Sequence, residues 1–169
     1  EAGQWVQLRA HLRGWSEQVA GADERRDLLL QISSLDEDLL GDRSAAIDSY
    51  RELLDLKADD EVALRALERL YEVESRWADL VDLLLTQIDF VDSDSARNEL
   101  KVREALIRHE HMSEKEGAVD LLEEVLAADP QHDHAMQKLE EMVTVEDSLQ
   151  SRIADTLIST YERRQDWEK

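Results

Sequence analysis

Residues 61–85 read EVALRALERLYEVESRWADLVDLLL, and the spacing of their apolar positions decides the fold. In the first half, Val62, Leu64, Leu67, Leu70 and Tyr71 form a stripe at helical intervals, with Arg65, Glu68 and Arg69 interleaved. In the second half Trp77, Leu80, Val81 and Leu84 continue to Ile88 in the same way, with Asp79, Asp82 and Asp89 turned outward. Only a few polar residues part the stripes, so the stretch predicts two helices packed antiparallel across a tight turn.

The hairpin recurs along the chain. A shift of 72 residues, the interval from Trp5 to Trp77, also places Leu8 and Leu12 on Leu80 and Leu84 without a gap. The same shift puts Ala46, Asp48, Glu52 and Leu54 on Ala118, Asp120, Glu124 and Leu126. Ala63, Leu67 and Glu68 fall on Ala135, Leu139 and Glu140. One offset serving three segments is the mark of an internal repeat.

Helices are expected at 3–19, 23–40, 43–57, 60–74, 77–91, 95–112, 115–128, 132–143 and 147–164. Asp60, Ser95 and Asp147 stand where a short polar side chain would accept the unpaired first-turn N–H groups, each cap stabilising by about 1 kcal/mol. Gly41 and the lone Pro130 punctuate stops. No strand-like alternation competes. A two-helix hairpin leaves one side of each helix open to water, so hairpins stacked on one another are the expected way to bury the stripes.

Composition agrees and narrows the function. Few aromatics and little Gly or Pro among many Leu, Ala and Val residues suit helices. A net charge of -21 repels a phosphate backbone, which argues against nucleic acid and anionic membrane surfaces; it could favour a basic protein or peptide partner or simply keep a solvated surface soluble by self-repulsion. Without Cys there is no disulfide or thiol chemistry. No apolar run is long enough to span a bilayer, so no membrane insertion is expected. The first residues carry no leader pattern; the cytoplasm is the expected compartment, with the periplasm left open.

The pattern resembles the tetratricopeptide repeat, a helix-turn-helix unit of about 34 residues with small residues at the helix crossing and a proline after the second helix. In EGAVDLLEEVLAADP the matching residues are Ala118, Leu122, Val125 and Pro130. In SAAIDSYRELLDLKA they are Ala46, Tyr50 and Leu53, with Ala58 replacing proline. Leu64, Leu67 and Tyr71 match the first helix, and Trp77 and Leu80 open the second. Glu68 stands for the motif's glycine and Leu80 for its alanine, which holds those helices further apart. Tyr71 and Tyr161 are 90 residues apart rather than 72, so 18 extra residues are read between 143 and 161, as a short helix at 132–143 followed by a full one. Such a degenerate array is similar to long bacterial tetratricopeptide scaffolds. The resemblance implies an all-α, right-handed superhelical solenoid over residues 1–169, one repeat domain and a segment of a longer array. The chain would open and close in mid-hairpin, with Leu157, Tyr161 and Trp167 answering Leu67, Tyr71 and Trp77. Its uncapped terminal helices would permit end-to-end self-association.

Catalytic signatures are absent: there is no nucleophile elbow, glycine-rich phosphate loop or calcium-loop pattern. HEH (His109–His111) and HDH (His132–His134) contain metal-ligand types, but helical residues two apart diverge by about 200° and would not chelate one ion. No cofactor and no metal are expected. Trp5, Trp77 and Trp167 recur with the stripe as packing wedges; Trp15 does not recur, its 72-residue equivalent being Gln87, and is a candidate surface anchor. The family's ligands lie on a concave face lined by first helices. Carried over, that face holds Arg65, Arg69 and Glu72 on the helix at 60–74, and Glu99, Arg103 and Leu106 on the helix at 95–112. Arg65 and Arg69, one turn apart, could hold a peptide carboxylate or simply pair along their own helix. The expected function is a non-catalytic protein-protein interaction scaffold. A structural spacer arm is the alternative, and a metal-dependent enzyme a more distant one; an apolar groove in the fold would favour binding.

Overall fold

The computed structural model describes residues 2–164, and every described element is helical. The chain divides between Leu83 and Leu84 into two compact units.

In the first unit, α1 (Ala2–Ser16) packs on α2 (Ala22–Ser34), α2 on α3 (Arg43–Leu56), and α3 on α4 (Glu61–Val73). A π-helical segment, Leu35–Leu40, extends α2 and touches both α1 and α3. Leu29, Ile32, Ile47, Leu53, Leu67 and Leu70 are wholly buried, each a side chain whose burial stabilises by about 1.5–3 kcal/mol. Arginines lock the helices from the outside: Arg9 of α1 reaches Asp36 at 3.0 Å, Arg13 reaches Glu52 at 2.6 Å, and Arg26 of α2 meets Asp60 at 2.5 Å. α5 (Trp77–Phe90) begins in this unit and ends in the next.

In the second unit α6 (Asp94–His111) lies on α7 (Lys115–Ala128), and α7 contacts both α8 (Asp133–Val143) and α9 (Gln150–Arg164). Val102, Ala118, Leu122, Leu126, Leu139 and Ile153 fill its core. From α9, Arg152 bonds Asp120 and Glu123 of α7 at 2.5 Å. Arg163 donates to the Leu126 and Ala127 carbonyls at 3.2 and 3.0 Å, supplying a cation to the C-terminal end of α7.

The 72-residue interval is visible in the element bounds. α2 starts at Ala22 and α6 at Asp94; α3 spans Arg43–Leu56 and α7 Lys115–Ala128; α4 starts at Glu61 and α8 at Asp133. Gly41 and Ser113, also 72 apart, both take left-handed backbone, φ 66° and 59°. Within α3 and α7 the same four places are buried: Ala46, Ile47, Tyr50 and Leu53 against Ala118, Val119, Leu122 and Val125.

Four expectations need correction. The helix expected over 23–40 is α-helical only to Ser34; the rest is the π segment, whose extra residue per turn buries Asp36 and ends at Gly41. Ser93, not Ser95, caps α6, its hydroxyl accepting the Ala96 N–H, so the helix begins one residue early. α9 begins at Gln150, too late for Asp147 to serve as its cap. In α4, Val62 is exposed, and the buried stripe runs instead through Ala63, Ala66, Leu67, Leu70 and Tyr71. Trp167, counted among the recurring tryptophans, lies outside the described residues. Among those described, no helix is long and apolar enough to cross a membrane.

Candidate interaction surface

A cleft of about 590 Å³ opens in the second unit between the end of α5, α6 and the start of α8. α6 supplies most of it because Ala96, Leu100, Arg103 and Leu106 recur at three- and four-residue intervals and so share one helix face. Val91, Leu100 and Leu106 make the lining largely apolar, while Gln87, Glu99, Arg103 and His134 supply polar groups. The three α6 residues proposed from sequence, Glu99, Arg103 and Leu106, all line it.

Two imidazoles lie beside Glu99. His132 Nε2 lies 3.5 Å from one of its oxygens and His134 Nδ1 3.4 Å from the other. His132 also caps α8: its Nδ1 accepts the Ala135 N–H at 3.2 Å. A backbone N–H can only donate, so the neutral ring carries its proton on Nε2, the atom facing Glu99. The divergence expected of residues two apart fails for this pair because His132, as a cap, has extended backbone (φ -72°, ψ 91°) and only His134 is helical. In the other pair, His109 Nε2 contacts Glu146 at 2.9 Å, and Glu146 also takes a 2.6 Å bond from Lys115. Hydrogen bonds from Lys115 and then His109 hold the Glu146 carboxyl below the usual carboxylate range. Among the described residues no three His, Asp or Glu side chains form a group that could hold a metal ion.

The first-unit residues proposed from sequence lie on α4. Arg65 pairs with Glu61 at 2.7 Å and is strongly exposed; Arg69 pairs across to Glu37 of the π segment at 2.5 Å. Glu37 holds the Arg69 guanidinium above its ordinary value. Each arginine therefore already has a carboxylate partner on the protein, Glu61 or Glu37. Glu72 is exposed on the same helix. Trp15 is 56 % exposed on α1, whereas Trp5 and Trp77 are partly buried.

A second cleft, about 530 Å³, lies in the first unit between α1, α2 and the π segment, lined mainly by leucines. Sequence reasoning missed it, and missed Val91, Leu100 and His134 in the other. Leu100 was legible, standing one turn from Ala96 and Arg103. The π segment was not, because hydropathy carries no trace of one extra residue in a turn.

These elements define the class only as an all-helical protein with apolar clefts between its helices. Compared with protein-family models and with curated proteins, the sequence matches none.

Proposed function

We propose that this chain is a tetratricopeptide-like helical scaffold whose second-unit cleft docks a peptide or segment of a partner protein, without catalysis. The observation that carries the reading is the composition of the cleft: an apolar floor beside Glu99, Arg103 and Gln87 suits side chains in the floor and hydrogen bonds from the rim. The repeated element bounds and the buried Ala46, Ala63, Ala118 and Ala135 support a repeat architecture. With a net charge of -21, the favoured partner is basic, and its binding weakens with salt.

One observation favours a spacer arm instead for the α4 face: Arg65 and Arg69 are paired internally. Selection of displayed random peptides on the folded chain tests the binding reading, with Leu106→Glu as counter-selection and circular dichroism as the check on folding. Sequences enriched on the parent and lost on the variant support it. No enrichment, or enrichment indifferent to Leu106→Glu, overturns it in favour of the spacer.

A further inference from the structure

The start of α8 lies against the second-unit cleft, to which it contributes His134, and there the two copies of the repeat differ in chemistry. In the first unit Asp60 caps α4, and Arg26 of α2 bonds it at 2.5 Å, an ion pair whose carboxylate is 1 % exposed. At the positions 72 residues on, Asn98 replaces Arg26 and His132 replaces Asp60. The His132 side chain is 6 % exposed; its Nδ1 accepts the Ala135 N–H at 3.2 Å, and its Nε2 faces Glu99 at 3.5 Å. An ordinary carboxylate stays charged down to about pH 4, whereas an ordinary imidazole takes up a proton near about pH 6.5. Both nitrogens of the charged ring donate, so the bond from Ala135 exists only with the neutral ring.

The neighbouring charges fix the direction of the change. From α6, Glu99 faces His132 and lies 3.4 Å from His134, while Arg103 lines the same cleft. Within α8, Glu141 feels the charge of His134 but already accepts bonds from Lys138 and Gln137. From α9, Arg164 holds Asp133 at 3.1 Å, and in the preceding turn Asp129 accepts the Gln131 N–H at 2.9 Å. That leaves Glu99 as the carboxylate that meets the ring, and among the described residues it is the acidic side chain lining the cleft. Proton uptake removes the bond that starts α8 and sets imidazolium against the charge a basic partner would read. Resting on the docking reading above, we infer that His132 is a proton-operated latch on the second-unit cleft. Neutral, it pins the first turn of α8 and leaves Glu99 its charge for a basic segment; protonated, it frees that turn and neutralises Glu99, so the partner is released as pH falls.

The test begins on the whole chain without ligand, by amide hydrogen exchange corrected for the intrinsic rate at each pH. From about pH 7.5 to about pH 5.5, protection of the Ala135 N–H should fall about fivefold, the worth of one helix cap. Ala63, capped by Asp60, is the control within the chain and should keep its protection over the same range. His132→Asn retains an oxygen acceptor at the cap with no proton to gain, and its Ala135 protection should not change with pH. Affinity for the most enriched peptide of the selection described above should fall about tenfold in the parent and about threefold or less in His132→Asn. That variant retains His109, His111 and His134, so a fall equal to the parent's belongs to them and overturns the latch. Ala135 protection indifferent to pH, or ring carbon shifts showing His132 still neutral at about pH 5.5, would also overturn it. If no peptide binds, the docking reading fails while Ala135 exchange still decides the latch; if a peptide binds with an affinity that pH leaves unchanged, the latch fails and docking stands.

Discussion

Asp60 and His132, 72 residues apart, perform the same task with different chemistry: each accepts the N–H of an alanine three residues on, Ala63 at 3.1 Å and Ala135 at 3.2 Å. A carboxylate caps α4 and a neutral imidazole caps α8. Asp60 also accepts from Val62 and holds Arg26, so it satisfies more groups. Asp60→Ala should cost about 1–2 kcal/mol and His132→Ala about 1 kcal/mol. Amide hydrogen exchange over the first turns of α4 and α8 measures each loss where it falls. Nitrogen chemical shifts of neutral His132 should report the Nε2–H tautomer; the opposite tautomer would remove the cap from the account.

Acid should act in opposite senses on two buried carboxyls of the first unit. Burial pushes Asp60 up, but the Arg26 guanidinium and the Ala63 and Val62 N–H groups outweigh it and hold the carboxyl below its ordinary value. Its stabilisation is therefore present above the unfolded value, about 3.9, and lost as pH falls through the lower folded one. At Asp36 burial wins over Arg9, and the carboxyl is raised. Ionised Asp36 thus weakens the fold, and protonation as pH falls through its raised value relieves the loss. Compared with the parent across pH 7 to 3, Asp60→Asn should shed part of the acid sensitivity. The parent should gain on Asp36→Asn over the same descent. Denaturant midpoints at each pH decide both.

Ser113 occupies left-handed backbone that Gly41 occupies in the first unit without strain. Ser113→Gly should stabilise by about 0.5–1 kcal/mol, the relief exceeding the extra flexibility of the unfolded chain. Gly41→Ala should destabilise by about 1 kcal/mol or more. Thermal denaturation of the pair checks the sign of each.

Glu104 is 2 % exposed where the first unit has wholly buried Ile32. One of its oxygens takes bonds from Arg108 at 2.8 Å, while the other is buried without a partner. Arg108 also holds Glu114 at 2.5 Å and keeps that partner if Glu104 is removed. Glu104→Ile should therefore be neutral or stabilise the second unit by about 1 kcal/mol, read from urea unfolding. A loss of several kcal/mol would show that the carboxylate has a structural role the packing does not express.

Most helices were legible because their stripes are long and their stops are local. α3 and α7 lie within a residue of their expected bounds, since Pro130 and the Lys57–Asp60 turn end the periodicity sharply. Val62 was misplaced for a specific reason: in VALRAL, alanine and valine compete for the same face, and small Ala63 won the interior while bulkier Val62 faces out. Ser93 and Ser95 are equally good caps by composition, and only backbone conformation chose between them. For the cleft, α6 exposed its contribution through helical spacing, but Val91 comes from just beyond α5 and His134 from α8, and no local pattern announces which elements will meet.

Caps, left-handed turns and buried positions that coincide at one interval have a genetic consequence. A crossover that joins codon 42 directly to codon 115 deletes one period in frame, yet Asp42 still precedes a helix of the α3 and α7 length. The reverse exchange duplicates a period with equal economy. Helix register survives either event, so the number of hairpins in such a gene can change in single steps that leave each remaining hairpin its own start and stop.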